Sequence, residues 1–286
     1  MKKQTVLVLI ALLVCLVGSA VMAGPTEKAN RVVALDGAER ISIECQFGAG
    51  RFTVVPADME EVAKVDITYE PDRVSYDVTY DVRSRTGHLF MASEYEESVD
   101  HDDIDNEWDV TLSTRYPTEL FVEMGACDAA LDLGGIPLEE ASIEVGAASG
   151  VIDFSRRNPR RMKEISIEIG ASSVELQHLG NANFDYLDFQ GGVASCELDF
   201  TGDFEGESTA RIEVGLGSAD IVIPEGLAVR LETDDSGWFS SVDFDELDLD
   251  KVSRGVYESA GFDKAKNRLI LILDVGMGSV DIYYGR

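Results

Sequence analysis

The chain has 286 residues and a formal net charge of −30, from 54 acidic and 24 basic side chains. Such an acidic excess excludes nucleic acids and anionic membrane surfaces as general partners, because both would repel it. Hydrophobic residues make up 45% of the sequence. This is enough for a packed core, so the acids are expected on the surface of a folded protein.

The N-terminal segment is typical of a secretory signal peptide. Lys2 and Lys3 precede an apolar run over residues 6–17, and small residues follow as far as Ala23. We expect cleavage near Ala23, which makes residues 1–23 the signal peptide and the protein an exported one, periplasmic or extracellular and either free or associated with the cell surface. An uncleaved anchor is the alternative, since the run approaches the ~18 residues that span a bilayer. No later segment predicts a membrane span.

The region from residue 24 to residue 119 predicts an antiparallel sheet. The stretches "AKVDITYEP", "VSYDVTYDVRS", "GHLFMASEY" and "EWDVTLSTRY" alternate apolar and polar residues and are separated by turn residues. We expect this sheet to begin the same domain as the rest of the chain and to cover the first of the repeats described below.

An acidic loop within this region is a candidate calcium site. It carries carboxylates at Asp100, Asp102, Asp103, Asp105 and Glu107. Oxygen ligands at alternate positions suit Ca²⁺, although the loop lacks the glycine of the EF-hand pattern. Calcium is the only cofactor that the sequence suggests, and a solvated loop is the alternative.

A repeated phrase dominates residues 120–286. "IEVGLGSADIVI" around Gly215 returns as "LDVGMGSVDIYY" around Gly276. Related units centre on Gly48, Gly125, Gly146, Gly170 and Gly192, and a degenerate copy centres on Gly237. From Gly125 to Gly215 the spacings are 21, 24, 22 and 23 residues. A period in this range predicts stacked units, none of which could bury its apolar side chains alone.

Within each unit, apolar and charged residues alternate on both sides of the glycine, which predicts two half-buried strands joined at a bend. The predicted inward positions are Val122, Met124, Ile143, Val145, Ile167, Ile169, Ile212, Val214, Leu273 and Val275 before the glycine, and Leu131, Leu133, Ile152, Phe154, Leu198, Phe200, Ile221, Ile223, Ile282 and Tyr284 after it. The fold class is therefore all-β, a single β-solenoid of two-strand rungs of about 21–24 residues, with the N-terminal sheet continuous with it.

The same register makes predictions for single residues. His178, eight residues after Gly170, is expected to pack inward. Cys127 and Cys196 would lie three rungs, about 14 Å, apart, which is too far for a disulfide, whereas the pairing of Cys45 stays open. The segment from residue 237 to residue 267 is expected to cap the C-terminal end of the stack.

Outward positions predict columns of like residues. Serines recur three places after the glycine at Ser149, Ser173, Ser195, Ser218 and Ser279, and acids precede the glycine at Glu123, Glu144, Glu168 and Glu213. The serines are expected to bond backbone groups at the bend, or else to bind a polymer. The acids are expected to be solvated, or else to recruit cations.

Two further features are candidate binding sites. "SRRNPRRMK" gathers Arg156, Arg157, Arg160, Arg161 and Lys163 in one loop. This basic loop could bind an anionic envelope polymer or another protein, and pairing with flanking acids is the alternative. Trp238 and Phe239 in the degenerate unit predict either an exposed contact site or a plug for the core.

The run "IEVGAASG", "IEIGASS", "IEVGLGSADI" and the closing "RGVYESAGFDKAKNRLILILDVGMGSVDI" resembles the toast-rack, or putative-adhesin, β-solenoid family. The motif is similar to the C-terminal part of LiaF-type cell-envelope stress proteins. The resemblance covers residues 120–285, and the strands before them more weakly. It implies an envelope or secreted β-solenoid for which no catalytic residues are known.

The sequence therefore predicts a non-enzymatic, adhesin-like binding or scaffold module of the cell envelope. No histidine lies at motif spacing from a serine or cysteine nucleophile and an orienting acid. One alternative is a polysaccharide lyase or hydrolase on the same scaffold, because stacked acids suit sugar polymers. Another is an accessory protein of the envelope stress response.

Overall fold

A computed structural model describes residues 25–95, 105–233 and 241–285. The predicted signal peptide, three of the candidate calcium ligands and the Trp238–Phe239 pair lie outside these ranges. The strands are β1 (Glu27–Val33), β2 (Arg40–Ala57), β3 (Ala63–Tyr69), β4 (Val74–Arg83), β5 (Thr86–Tyr95), β6 (Asn106–Ser113), β7 (Thr118–Asp132), β8 (Leu138–Val145), β9 (Ser149–Asp153), β10 (Met162–Ile169), β11 (Ser173–Gln177), β12 (Phe184–Asp199), β13 (Glu207–Pro224), β14 (Ala228–Thr233), β15 (Ser241–Asp243), β16 (Leu249–Ser253), β17 (Val256–Ser259) and β18 (Arg268–Gly285). Short 3₁₀ turns cover Leu179–Ala182 and Phe262–Lys264, and the protein is all-β as predicted.

The repeat units pair with one another in parallel and in register. β7 pairs with β2, and the order continues through β8 and β9, β10 and β11, and β12 to β13. Equivalent residues lie opposite each other, so that Ile143 faces Ile167 and Phe189 faces Ile212. The predicted register is therefore confirmed from the first unit to the unit of Gly215.

The predicted inward positions form one hydrophobic core. Ile143, Ile167 and Ile212 are each 0% exposed. All the other predicted inward residues are buried except Val275 and Tyr284 of β18, which are partly exposed. The core continues without a break into the N-terminal strands, where Trp108 and Phe52 are each 1% exposed.

The C-terminal end of the stack does not follow chain order. β18 lies between β13 on one side and β14 and β15 on the other, and it is parallel to all three. β17 and β16 then extend the sheet beyond β14 with antiparallel pairing. In the described part of the segment from 237 to 267, Phe244 and Tyr257 have ring centroids 4.8 Å apart and pack on the core, and Leu247 is buried. The predicted cap is thus confirmed for these residues.

The N-terminal strands are only partly the expected antiparallel sheet. β4 pairs antiparallel with β5, β3 with β6, and β1 with β3. However, β5 and β6 pair in parallel with β2, so the prediction of an antiparallel sheet is wrong for these pairings. The two strands cover the first unit on the side away from β7, as a further level of the stack.

Close backbone approach explains the glycines at the bends. A Cβ on Gly125 would lie 2.3 Å from the carbonyl oxygen of Gly48 in the unit before it. Gly50 also has φ +116°, and a Cβ there would lie 2.0 Å from the Asn106 oxygen. Glycine is therefore required at these bends because neighbouring units leave no room for a Cβ. At Gly50 the left-handed backbone also favours glycine.

Two single-residue predictions have different outcomes. His178 is half-exposed, because β11 ends at Gln177 and His178 turns with φ 54°, so the predicted core position is wrong. Cys127 and Cys196 are unbonded as predicted, and Cys45 is also a free buried thiol. Burial raises the pKa of Cys127 and that of Cys196 to about 11, so both thiols are protonated at neutral pH.

Candidate functional site

The stack presents two broad outer surfaces. We call the outward side chains of the strand halves before the glycine bends the pre-bend face, and those after the bends the post-bend face. Because the units are in register, equivalent outward residues of successive units form columns, spaced like neighbouring strands at about 4.8 Å. Any site on these faces is therefore built from repeated, near-identical groups.

The post-bend face carries a serine ladder beside an acidic ladder. The serine ladder runs through Ser149, Ser173, Ser195, Ser218, Ser279 and Ser241. The acidic ladder runs through Glu175, Glu197, Asp220, Asp281 and Asp243. Ser241 and Asp243 of β15 are the last members of the two ladders, opposite Ser279 and Asp281.

Hydrogen bonds identify the partners of three serines of the ladder. The hydroxyls of Ser195 and Ser218 are 3.4 Å apart, and Ser149 Oγ donates to Asp128 Oδ1 at 2.9 Å. The bond to the backbone at a bend is instead made by Ser172, which donates to the Gly146 carbonyl at 3.1 Å and accepts from the Ala148 N–H at 3.0 Å. Three ladder serines thus direct their hydroxyls at neighbouring side chains of the face.

Partial desolvation and nearby like charges perturb Glu197 of the acidic ladder. Partial desolvation, followed by the charges of Glu175, Asp199 and Asp220, raises the pKa of Glu197 above its ordinary value. The pKa of Tyr283 is raised by desolvation and then by the charges of Asp220, Glu197, Asp199 and Asp281. The ladder therefore favours a bound positive charge or a proton.

The pre-bend face is acidic as well, but less uniformly. Its column Glu123, Glu144, Glu168, Gln190, Glu213 and Asp274 is continuous across the units. Arg211 interrupts the negative charge by pairing with Glu213. A shallow depression of about 410 Å³ lies nearer the N-terminal end, around the partly exposed Phe121 and the carboxylates of Glu44 and Glu123.

Three arginines of the basic loop pair with acids of neighbouring units. Arg157 lies 2.6 Å from Glu205, Arg160 lies 2.8 Å from Glu139, and Arg161 lies 2.6 Å from Asp185. Arg156 donates to the Gly134 carbonyl at 3.2 Å, and Lys163 is exposed. Pairing with acids is the alternative interpretation that the sequence allows for this loop. The sequence does not identify the partners, because the three carboxylates come from distant parts of the chain. Binding of an anionic polymer or another protein by Arg156, Arg157, Arg160, Arg161 and Lys163 stays a prediction.

The remaining predicted residues do not form a site in the described structure. Asp105 is exposed, and Glu107 pairs with Arg51 at 2.9 Å. Among the residues that the structure describes, no group of three or more histidine, cysteine or acidic side chains is arranged to hold a metal ion. Asp100, Asp102 and Asp103, like Trp238 and Phe239, lie outside the described ranges, so these sites also stay predictions.

Solved structures of two other proteins align with most of this chain. A "putative cell adhesion protein" from Clostridium sporogenes aligns with 91% of this chain and 100% of its own length, at 19% identity and a TM-score of 0.50. A "putative adhesin" from Bacteroides fragilis covers 90% of this chain and 97% of its own, at 12% identity and a TM-score of 0.40. At such identities the first likeness shows a shared fold.

Curated proteins give no match to the chain. In the described ranges, no helix has the length and apolar character needed to cross a bilayer. The family profile described as the N-terminal domain of toast_rack (DUF2154) matches residues 22–177, more than half of the sequence. By this match, the chain belongs to the toast-rack family.

Proposed function

We propose that the protein is an exported, non-enzymatic, adhesin-like binding module of the cell envelope, built as a β-solenoid. The parallel, in-register stacking of sister units supports the solenoid interpretation. The family match and the shared fold with a protein named as a putative cell adhesion protein support the functional one.

One observation carries the proposal: the post-bend face repeats the same pair of groups, a hydroxyl and a carboxylate, at successive levels. An active site needs carboxylates made different by their surroundings, so that one acts as acid and another as base. The ladder carboxylates share one open face, and the raised pKa of Glu197 comes from partial desolvation, followed by the charges of Glu175, Asp199 and Asp220. A repeated surface of this kind suits an extended or repeating partner.

The charge of the post-bend face limits the kinds of partner that could bind there. In the serine and acidic ladders the charged groups are carboxylates. A polyanionic partner would be repelled there, whereas a polymer rich in hydroxyl groups or positive charges could bond to both ladders. The basic loop is the second candidate surface, and it would take the opposite charge.

Binding to a glycan array and to envelope extracts tests the proposal with the mature chain, residues 24–286. We expect the ladder variant Glu197→Lys/Asp220→Lys to lose binding at least tenfold. The control Glu123→Lys/Glu144→Lys makes the same charge change on the pre-bend face and should retain binding. A second variant, with Arg156, Arg157, Arg160 and Arg161 changed to serine, tests the basic loop. Equal binding by wild type and both of these test variants would reject both surfaces.

A further inference from the structure

The two sides of the stack end at different levels at its N-terminal end. Beyond β2, the pre-bend side continues through β5 and stops at β4. The post-bend side continues through β6 and β3 and adds β1. The pre-bend side is therefore one strand shorter, and β4 forms its edge.

The free edge of β4 is long. The strand spans ten residues, and in the described part of the chain it pairs with β5 alone. The backbone N–H and C=O groups on its other side have no strand partner there. Such an edge is a template for a further strand, and proteins that do not use it usually shorten it, bulge it or cover it.

A groove runs along this edge and exposes part of the core. Its volume is about 420 Å³, and residues 74–78 of β4 form one wall while Tyr69 and Arg31 stand across from them. Tyr76 and Val78 of β4 face inward but are only partly buried, and Val82 is 36% exposed. The groove therefore offers apolar surface to side chains that point inward from an added strand.

Arg31 of β1 also lines this groove, across from β4. It lies opposite the buried Val65 in the β1–β3 pair, so it is on the inward side of β1. Its guanidinium carbon lies 5.7 Å from the centre of the Tyr76 ring, and its Nη2 donates to the Tyr76 hydroxyl at 3.3 Å. Arg31 thus places a charged group on an aromatic ring in contact with the groove, between the inward-facing Ala29 and Val33 of β1.

The outward side chains of β4 determine the charge of a complementary strand. Asp77 and Asp81 are exposed on the outward side, and Asp81 pairs with Arg83 of the same strand. Residues opposite each other on neighbouring strands interact directly, and opposite charges there are favourable. A second copy of this chain is disfavoured as the added strand, because each copy has a net charge of −30.

We propose that the edge of β4 binds an extended segment of another protein, which adds as a strand with apolar side chains in the groove and lysine or arginine beside Asp77 and Asp81. This inference rests on the proposed binding function and assigns that function a second surface with a defined kind of partner. The post-bend ladders could fail their own test without affecting the edge of β4, and the reverse also holds.

A fluorescein-labelled decapeptide that alternates valine and lysine is the probe, and the same peptide with glutamate in place of lysine is its control. Fluorescence anisotropy with the mature chain should show saturable binding of the lysine peptide and at least tenfold weaker binding of the glutamate peptide. Asp77→Lys/Asp81→Lys should weaken binding of the lysine peptide at least tenfold. Glu123→Lys/Glu144→Lys, the same charge change on the pre-bend face, should leave it within twofold.

Hydrogen exchange separates strand addition from general charge attraction. The bound lysine peptide should slow amide exchange within residues 74–83, while exchange in the ladders stays unchanged. Equal loss of affinity in both double variants, or slowed exchange elsewhere without any in β4, would overturn the proposal. Sedimentation showing that the wild-type chain dimerises and that Asp77→Lys/Asp81→Lys abolishes the dimer would also overturn it, by identifying a second copy as the added strand.

Discussion

At the scale of single residues, the bend glycines are required to different degrees, although their sequences look alike. A Cβ on Gly125 would meet the Gly48 oxygen at 2.3 Å, whereas a Cβ on Gly146 would lie 3.3 Å from the Gly125 oxygen. The first contact requires the backbone to shift, and the second requires only a few tenths of an ångström of movement.

We therefore expect Gly125→Ala to lower the free energy of unfolding by about 1–3 kcal/mol, the usual cost of overpacking. Gly146→Ala is the matched control and should cost less than about 1 kcal/mol. Urea denaturation followed by circular dichroism measures both. Equal losses would mean that the two bends are equally tight.

The acidic ladder gives a prediction about pH. The pKa of Glu197 is higher in the folded state than in the unfolded one, so its ionised form destabilises the fold at neutral pH. Glu197→Gln should raise the free energy of unfolding at pH 7, by about 0.5 kcal/mol because the site is exposed. The gain should vanish as the pH falls below the ordinary glutamate pKa, since the acid is then protonated in both states.

The pKa of Asp58 is shifted in the opposite direction to that of Glu197, so its ionised form stabilises the fold. A hydrogen bond from Arg115 at 2.5 Å, together with its charge, lowers the pKa of Asp58. Asp58→Asn should therefore destabilise at pH 7, and this loss should shrink as the pH falls. Denaturation curves at pH 7 and about pH 4 test Glu197→Gln, and curves continued to about pH 2.5 test Asp58→Asn, since its loss shrinks only below the ordinary aspartate pKa. A Glu197→Gln protein less stable than wild type at pH 7 would contradict the assignment.

Several residues behaved as the alternating pattern predicts, and others could not have been predicted from it. Ile143 and Ile167 are inward because a strand of period two leaves them no other side. His178 has the same spacing from its glycine as the inward residues of other units, but it comes after β11 has ended. The alternating pattern does not show where a strand ends. The arginines of the basic loop depend on Glu139 and Glu205, whose approach is set by the stacking of different units.

At the scale of elements, the stack of units was predictable but the order at its ends was not. The units of Gly215 and Gly276 have almost the same sequence, so either could lie beside any sister unit. The structure places β18 between β13 and the degenerate unit of β14 and β15. The hairpin of β16 and β17 and the 3₁₀ turn after it connect the degenerate unit to the start of β18.

Because β18 is paired on both sides, we expect it to contribute strongly to stability. Leu271 has strand partners on both sides and is 0% exposed, and Leu271→Ala should lower the free energy of unfolding by about 2–5 kcal/mol. Val252→Ala on the edge strand β16 is the control, since Val252 is 59% exposed and its loss should stay within about 0.5 kcal/mol. Guanidinium denaturation tests the pair, and a Leu271→Ala loss no larger than that of the control would contradict the inserted position.

At the scale of the whole molecule, the chain has a net charge of −30, and part of the negative charge lies in columns across neighbouring strands. Like charges on neighbouring strands destabilise a sheet. Raising the ionic strength from about 0.01 M to about 0.15 M shortens the screening length from about 30 Å to about 8 Å. The melting temperature should therefore rise with NaCl, as scanning calorimetry would show, and a fall over this range would contradict the role given to the ladders.

The position of β18 has a consequence for synthesis on the ribosome. Until residues 268–285 have emerged, β13 lacks its partner on one side, and β14 and β15 have no parallel neighbour. The nascent chain can build its earlier levels one by one, but it cannot close the last of them as they are translated. Closure of these levels must wait for residues 268–285, and until then the side of β13 that pairs with β18 is open.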